Sequence, residues 1–304
     1  MEALETLSEE IFHYPVMHRE VLKFLEPTSK KIIVDCTIGV GSCALKLLEV
    51  TSPTTLFIGI DRDNESLDIA ANRLKKFGSK VILIKDNFMN IDKILEGLNL
   101  KSADAFLFDL GISSYQLNKA ERGFSFLKEG PLDMRMDKDT FLCAYDLVNN
   151  LSREELANIF KKFGEERFAD RIAKVLVDRR KKEPISTTKQ LAELILHTVP
   201  IRSYFYRINP ATRIFQALRI AVNRELETLN IGLQKAINLL NQRGRIVVIS
   251  FHSLEDRIVK NIFRQESQKG KIKIITKKPI IPTAEEIAEN NASRSAKLRV
   301  AEKL

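Results

Sequence analysis

The sequence contains no apolar run near the ~18 residues that a membrane-spanning helix requires, which argues against a membrane protein. Its first ten residues, MEALETLSEE, are acidic and lack the apolar segment of a secretory signal and the arginine-rich pattern of a transit peptide. Its three cysteines, Cys36, Cys43 and Cys143, form no CxxC pair. We therefore expect reduced thiols and a cytoplasmic protein.

Metal-binding spacing is also absent. His13, His18 and His197 are too scattered to form a ligand set, and we expect no metal centre. Charge, in contrast, is unbalanced: 49 basic residues against 40 acidic ones give a net charge of +9. Basic residues cluster in 171–182 and again in 257–278. The second segment contains eight basic residues and one acidic residue, Glu266. This pattern suits a polyanionic partner, although each zone is equally compatible with a solvated helix face.

Short β-branched segments alternate with helical patterns in the first third of the chain, which predicts βαβ units and a parallel sheet. The expected strands are KIIVDC (31–36), TLFIGID (55–61), KVILIKD (80–86) and DAFLFDL (104–110). After one long helix over 214–240, three further strands are expected at 245–251, 271–276 and 297–303. The prediction is an α/β sheet of about seven strands.

An interruption separates the two groups of strands. No strand pattern occurs over 113–208, and capping boxes at Ser152 with Glu155 and at Thr187 with Gln190 predict helix starts there. We therefore expect an all-helical insertion at 113–208 between two parts of one α/β domain, 1–112 and 209–304.

A glycine turn follows the first strand. Gly39, Gly41 and Ala44 have the G-x-G-x-x-A spacing of a dinucleotide-binding turn, and Asp61 ends the next strand, where an acid binds both ribose hydroxyls. These features fit NAD and S-adenosylmethionine equally. Asp35 favours the second, because a pyrophosphate disfavours a nearby carboxylate whereas a sulfonium attracts one. Asp86 and Asp109, at the ends of the third and fourth strands, also favour a cation, although some of these acids are expected only to cap helices.

Nearly the whole chain resembles the RsmH (MraW) family. The most specific motifs are GPLDMRMD and ISFHSLEDR, supported by VDCTIGVGSC, FIGIDRD, FDLGISSYQL, GEERFADRIAKVL and NPATRIFQALRIAVNRELETL. The resemblance implies a Rossmann-like, S-adenosylmethionine-dependent methyltransferase that modifies the exocyclic N4 of a cytidine in the decoding region of small-subunit (16S) ribosomal RNA. It implies small-subunit ribosomal RNA as the partner, within the assembled subunit, and leaves the oligomeric state open.

The family's cofactor contacts match this chain at seven positions: Gly41, Ser42, Cys43, Asp61, Phe88, Asp109 and Gln116. The place of Phe88, two residues after Asp86, also predicts a flat apolar surface for adenine. The chain departs from the family where Gly41-Ser42-Cys43 replaces the usual Gly-Gly-His, so a histidine contact is lost. Tyr115 stands where proline is usual, and Asn209 where histidine is frequent.

Methyl transfer to an exocyclic amine requires acceptors for its protons. Asp109, with groups of Ser113 and Ser114, is the candidate; the alternative is that Asp109 only orders the cofactor. His252 follows a later strand and is a further candidate, and Ser253 with Asp256 is expected to cap the next helix.

An RNA base must leave its stack to reach such a site. The candidate RNA-binding residues are Arg122, Phe124, Arg135, Arg213 and Arg219, with Phe126 and the basic run 171–182 as further possibilities. We expect the insertion to set substrate choice. Two other functions stay open from the residues: an NAD-dependent oxidoreductase using the same turn, and a non-catalytic RNA-binding assembly factor.

Overall fold

Seven strands form one sheet in the computed structural model, which describes residues 15–200 and 209–304. The predicted strands are all present, with bounds within a few residues of those expected. They are β1 (Ile32–Asp35), β2 (Leu56–Asp61), β3 (Val81–Lys85), β4 (Ala103–Asp109), β5 (Leu240–Ser250), β6 (Ile272–Ile274) and β7 (Lys297–Lys303).

The helices divide between two compact units. The first unit, the chain up to Gly111 and from Leu226 onward, contains α1 (His18–Leu25), α2 (Ser42–Leu48), α3 (Asn64–Leu74), α4 (Ile91–Gly97), α11 (Glu225–Leu239, apart from its first residue), α12 (Ser253–Gln268) and α13 (Ala284–Glu289). The second unit, Ile112–Glu225, contains α5 (Ser114–Asn118), α6 (Ala144–Asn150), α7 (Arg153–Gly164), α8 (Ala169–Arg180), α9 (Thr188–Thr198) and α10 (Pro210–Asn223).

The strand order is β3-β2-β1-β4-β5-β7-β6. Strands β1 to β5 are mutually parallel, so their carboxyl ends share one edge, which we call the carboxyl edge. Strand β7 runs antiparallel to both β5 and β6. The predicted seven-strand Rossmann-like sheet is confirmed, and the switch in strand order falls between β1 and β4, where sheets of this kind bind their ligands.

Each face of the sheet has its own apolar core. Phe106 and Phe108 of β4 point to the face covered by α4, α11 and α12. Ala105 and Leu107 of the same strand point to the face covered by α1, α2 and α3. This alternation with burial on both sides explains why the strands read as nearly continuous apolar runs.

The second unit is helical around a separate core, as expected, but its end differs from the prediction. The single helix expected over 214–240 is two helices, because Arg224 between them adopts a left-handed φ of 51°. Helix α10 packs Ile214, Phe215 and Leu218 into the core of the second unit. The unit therefore extends to Glu225, whereas the boundary predicted at 208 borders residues outside those described.

The start of β5 also differs from the strand expected at 245–251. Strand β5 begins at Leu240, and the register of its pairing with β4 shifts between Ala103 and Ala105, so residues 241–244 form an irregularity inside the strand. Within the described ranges, no helix has the length and apolar character needed to cross a bilayer.

Candidate active site

The glycine turn joins β1 to α2 at the carboxyl edge. Gly39 and Gly41 both have positive φ values, 52° and 79°, which favour glycine. A β-carbon on Gly41 would also lie 3.3 Å from Cβ of Ala70, so α3 packs directly against the turn. Both the spacing and the residue type predicted from the sequence thus have a structural cause.

Arg73 of α3 braces this turn, a role that the sequence analysis missed. Its Nη1 donates to the carbonyl of Val40 (2.8 Å) and to the hydroxyl of Ser42. Burial lowers the pKa of the Arg73 guanidinium. The hydroxyl of Ser42, a predicted cofactor contact, therefore accepts a hydrogen bond that helps to hold the turn.

Asp61 connects the turn to the end of β2. Its Oδ2 accepts the backbone N–H of Gly39 (2.8 Å), and its Oδ1 accepts that of Asp63 (3.0 Å). Asp63 in turn caps α3 by accepting from the N–H of Glu65. Burial raises the pKa of Asp61, while the donated N–H groups oppose that rise. The predicted ribose acid is thus rigidly held beside the glycine turn.

Asp35 and Asp109 end the two neighbouring strands β1 and β4, and Thr37 links them. The N–H of Thr37 donates to Oδ1 of Asp35 (3.1 Å), and its hydroxyl accepts the N–H of Asp109 (2.7 Å). Thr37 was not among the predicted site residues. The sequence does contain a signal for this contact, because Thr37 follows Asp35 by two residues. At that spacing an aspartate carboxylate commonly accepts the backbone N–H of the later residue.

Asp109 has an exceptional environment. Its Oδ1 is buried and accepts no hydrogen bond from any described residue. Burial, together with the charges of Asp35 and Glu255, raises its pKa to about 8. Burial and the charge of Asp61 likewise raise the pKa of Asp35 to about 7. A buried carboxylate oxygen without a donor is costly, and a cationic or N–H-bearing ligand would satisfy it.

Phe88 begins a short 3-10 turn after β3. Its ring meets that of Phe108 edge to face, with centroids 5.4 Å apart, and also lies against Gly232 of α11. Part of the ring is therefore engaged in the core, and its stacking on adenine stays a prediction. Asp86 accepts from the N–H of Asn87 (2.6 Å) and from the side chain of Asn90 (2.8 Å), so one of the predicted edge acids caps local structure.

We expect Gly232→Ala to disturb the Phe88 ring. The added β-carbon would lie 2.5 Å from Cδ2 of Phe88, and overpacking of this kind costs about 1–3 kcal/mol. Urea unfolding measures the loss. Gly97→Ala is the matched control, because nothing lies within 4 Å of its added β-carbon, and its stability should not fall. Equal stability of both variants would contradict the packing described for Phe88.

Two other predicted cofactor contacts have structural roles. The Cys43 side chain is buried in the apolar core beneath α2. Its burial, and to a smaller extent the charges of Asp35 and Asp109, raise the pKa of its thiol. Gln116 lies in the second unit, where its side-chain oxygen accepts the N–H of Ser113 (3.0 Å) in a capping box that begins α5. Contacts of either residue with a cofactor stay predictions.

Most of the predicted RNA-binding side chains are engaged in contacts within the second unit. Arg122 is fully buried and donates to the carbonyls of Arg135 (2.9 Å) and Met136 (3.0 Å). Phe124 is a core residue. These two side chains therefore hold the loop together and are not exposed for stacking or phosphate contact.

Two of the remaining candidates, Arg135 and Arg219, form ion pairs with acidic residues of the same unit. Arg135 makes a two-pronged ion pair with Asp133 (2.7 and 2.9 Å), and its Nη1 donates to the carbonyl of Thr140 (2.6 Å). Arg219 pairs with Glu225 through two bonds of 2.8 and 2.9 Å. Arg213 differs, because its side chain is 45% exposed beside Glu166. It stays a candidate for phosphate contact.

The helix after β5 begins differently from the prediction. Its capping residue is His252, whose Nδ1 accepts the N–H of Glu255 (3.4 Å), while Glu255 accepts the N–H groups of Phe251 and His252. Ser253 is the first helical residue, and Asp256 instead binds Arg299 (2.6 Å). The predicted Ser253–Asp256 box is wrong by one residue, because the imidazole serves as the cap.

The arrangement defines a class of protein. A glycine turn, the acid predicted to bind ribose and two buried carboxylates gather at the switch point of a doubly wound sheet, where they suit an adenosine-containing cation better than a pyrophosphate. The chain belongs to the MraW methylase family, which it matches over residues 10–304. Membership confirms methyl transfer and S-adenosylmethionine as the cofactor, and it removes the dehydrogenase alternative.

Named relatives agree over nearly the full length. The chain is 50% identical to ribosomal RNA small subunit methyltransferase H of Persephonella marina over 292 residues, 96% of this chain and 99% of that one. It is 46% identical to the protein of the same name from Syntrophotalea carbinolica, over 98% of this chain and all of that one. A solved rRNA methylase from Streptococcus thermophilus is similar at 12% identity and a TM-score of 0.43, covering 94% and 93% of the two chains.

Donor binding is expected to strengthen with pH. Below pH 7, Asp35 and Asp109 are largely protonated in the free protein, since their pKa values are about 7 and about 8. A sulfonium favours their ionised forms, so binding releases protons and affinity rises up to about tenfold per pH unit for each proton released. The gain ends above about pH 8.

Calorimetry of S-adenosylmethionine binding at pH 6, 7 and 8 measures this linkage. The demethylated product has an uncharged sulfur and should show a shallower dependence. Identical slopes for donor and product would mean that these carboxyls do not face the sulfonium.

Proposed function

We propose that this protein transfers a methyl group from S-adenosylmethionine to the exocyclic N4 of a cytidine in the decoding region of 16S ribosomal RNA, within the assembled small subunit. Support for ribosomal RNA comes from the relatives, which are named as small-subunit methyltransferases at 46–50% identity. Support for the N4 position comes from the resemblance in its motifs and from the chemistry available at Asp109.

The buried, unpartnered Oδ1 of Asp109 is the observation that carries the proposal. A cytosine amino group is a poor nucleophile because its lone pair is delocalised into the ring. An oxygen that accepts an amino hydrogen bond favours localisation of that lone pair and receives the proton as positive charge develops. A carboxylate with a raised pKa is a better proton acceptor than an ordinary one.

The cofactor supplies an electrophilic methyl group on a positively charged sulfur. The other functions belong to the protein's own side chains. Asp61, which accepts the N–H of Gly39, would hold the ribose, and Asp35 would balance the positive charge. Thr37 fixes the backbone of Asp109 relative to β1. In the transfer, the amine nitrogen would gain the methyl carbon as the carbon–sulfur bond of the donor breaks, and one amino proton would pass to Asp109. Positioning the reacting atoms in line supplies a further part of the rate.

The second unit contributes to RNA recognition in this proposal. Between Ile112 and Glu225 there are 21 basic and 15 acidic residues, so six of the nine excess positive charges belong to this unit. Exposed basic side chains there include Arg171, Lys174, Lys181, Lys182 and Arg213. These residues, all candidates from the sequence, are the ones still available for phosphate contact, whereas Arg122 is buried.

Labelled-methyl transfer onto small subunits from cells lacking this activity tests the proposal. Digestion to nucleosides, followed by mass spectrometry, should identify N4-methylcytidine at a single decoding-region position. Free 16S RNA, assayed in parallel, should be a poor substrate. Methylation of a different base or of the ring carbon would overturn the N4 assignment. Binding to subunits without any transfer, by protein that binds the donor, would support the non-catalytic assembly factor.

A further inference from the structure

Helix α12 separates its charges by side. Its apolar residues Val259, Ile262 and Phe263 are buried in the core beside β5. The opposite side is exposed and polar, comprising Ser253, Arg257, Lys260, Asn261, Arg264, Gln265 and Gln268. Among the residues of this fully described helix, no acidic side chain is exposed.

All three acids of α12 turn inward or are neutralised. Glu255 is buried, with 2% exposure, and caps the helix start. Asp256 binds the guanidinium of Arg299 at 2.6 Å. Glu266 is 6% exposed and pairs with Lys269 (2.6 Å) and Lys271 (2.9 Å). The acid that interrupts the basic run in the sequence therefore does not reduce the positive charge of the exposed side.

The three exposed bases form a stripe. Arg257, Lys260 and Arg264 are spaced by three and four residues, which places them on one side of a helix. Seven residues at ~1.5 Å each spread them over about 10 Å. Since α12 begins at the carboxyl end of β5, Arg257 lies about one turn from the edge that holds Asp109.

Two further exposed lysines lie at that edge. Ile274 of β6 pairs with Ala301, and Ile280 pairs with Leu298, so the exposed Lys277 and Lys278 lie between these points. Strands β5 and β6 are both antiparallel to β7 and so run in the same direction. The two lysines therefore follow the carboxyl end of β6, at the same edge as Asp109.

We infer that this basic α12 surface, defined by Arg257, Lys260, Arg264, Lys277 and Lys278, binds backbone phosphates of the RNA strand that flanks the target nucleotide. The inference rests on the proposed function and adds to it an RNA contact on the first unit. Positive side chains spaced along a path, with no aromatic side chain among them, suit phosphates and not bases. A membrane surface is disfavoured, because the apolar side of α12 is buried in the core and is unavailable for insertion.

Salt dependence of RNA binding tests this inference. Full-length protein is titrated with a labelled 12-nucleotide single-stranded RNA from the decoding region at several salt concentrations. The triple variant R257Q/K260Q/R264Q should bind at least tenfold more weakly. Its slope of log affinity against log salt should be shallower by about 2, since each lost phosphate contact removes about 0.7.

A matched control carries three equivalent substitutions away from the carboxyl edge. Exposed lysines on α1 and just before β1 and β4 serve for this purpose, as K23Q/K31Q/K101Q. This control should bind RNA with the wild-type slope. Both triple variants should bind S-adenosylmethionine normally, which verifies their folding. If the α12 triple variant fails this check, the single variants K260Q and R264Q should each lower the slope by about 0.7.

A wild-type slope for the α12 variant would overturn the inference while leaving the proposed function intact. The same holds if the α12 variant loses binding to vesicles of anionic phospholipid while retaining its RNA affinity. Failure of wild-type protein to methylate small subunits would instead overturn the proposed function.

Discussion

Asp109→Asn is expected to slow methyl transfer by about 10² to 10⁴-fold at saturating donor, the range attributed to a positioned proton acceptor. The substitution keeps the size of the side chain at the end of β4 but removes its capacity to receive a proton. Single-turnover rates on undermodified small subunits measure the effect, because they separate chemistry from donor binding and from product release.

The matched control is Asp35→Asn, the same exchange at the end of the neighbouring strand. Asp35 is buried and has a raised pKa, as Asp109 has, but its Oδ1 accepts the N–H of Thr37. This control should weaken donor binding and leave the saturated rate within about tenfold of the wild type. If Asp109→Asn transfers methyl groups at the wild-type rate, Asp109 only orders the cofactor, and the proton-acceptor role is wrong.

Asp61→Ala is expected to reduce the affinity for S-adenosylmethionine by about 100-fold or more. The carboxylate accepts the N–H groups of Gly39 and Asp63, and hydrogen bonds to a charged group contribute about 1.5–3 kcal/mol each. Its removal leaves the glycine turn without this link to β2, and it also removes the proposed acceptor for the ribose hydroxyls. Calorimetric titration with the donor measures the loss.

Asp104 supplies a control with the same structural function at the opposite edge. It lies at the start of β4, where its Oδ2 accepts the N–H groups of Lys31 and Ile32, both at 2.9 Å. Asp104→Ala should therefore lower stability in urea about as much as Asp61→Ala and leave donor affinity unchanged. Equal losses of donor affinity in the two variants would show that Asp61 acts only through stability.

The sheet was predictable from the sequence because β-strands buried on both faces are apolar throughout their length. The segment TLFIGID, which ends at Asp61, is an example, because its central residues are buried within β2. Acids that end such segments mark the carboxyl edge, so the positions of Asp35, Asp61 and Asp109 follow from the sequence.

The fate of individual polar side chains was not predictable. Arg122 and Lys260 are both basic residues in basic surroundings, yet one is fully buried against backbone carbonyls and the other is exposed. Arg122 is buried because its guanidinium donates to the backbone carbonyls of Arg135 and Met136. These residues are 13 and 14 positions away in the chain, so the contact depends on the tertiary fold. Likewise, Arg73 donates to the carbonyl of Val40, 33 residues earlier in the chain. Helical periodicity does not predict a contact of this kind.

Arg224, in the left-handed conformation, separates α10 from α11. Helix α10 packs into the core of the second unit, and α11 packs into a core of the first. The entire helical insertion is consequently accommodated within the crossover that joins β4 to β5, and each unit retains its own set of buried apolar side chains. Denaturation of such a chain need not be all-or-none. A small molecule held only at the strand ends would raise the melting temperature of the sheet and leave that of the helical unit where it was.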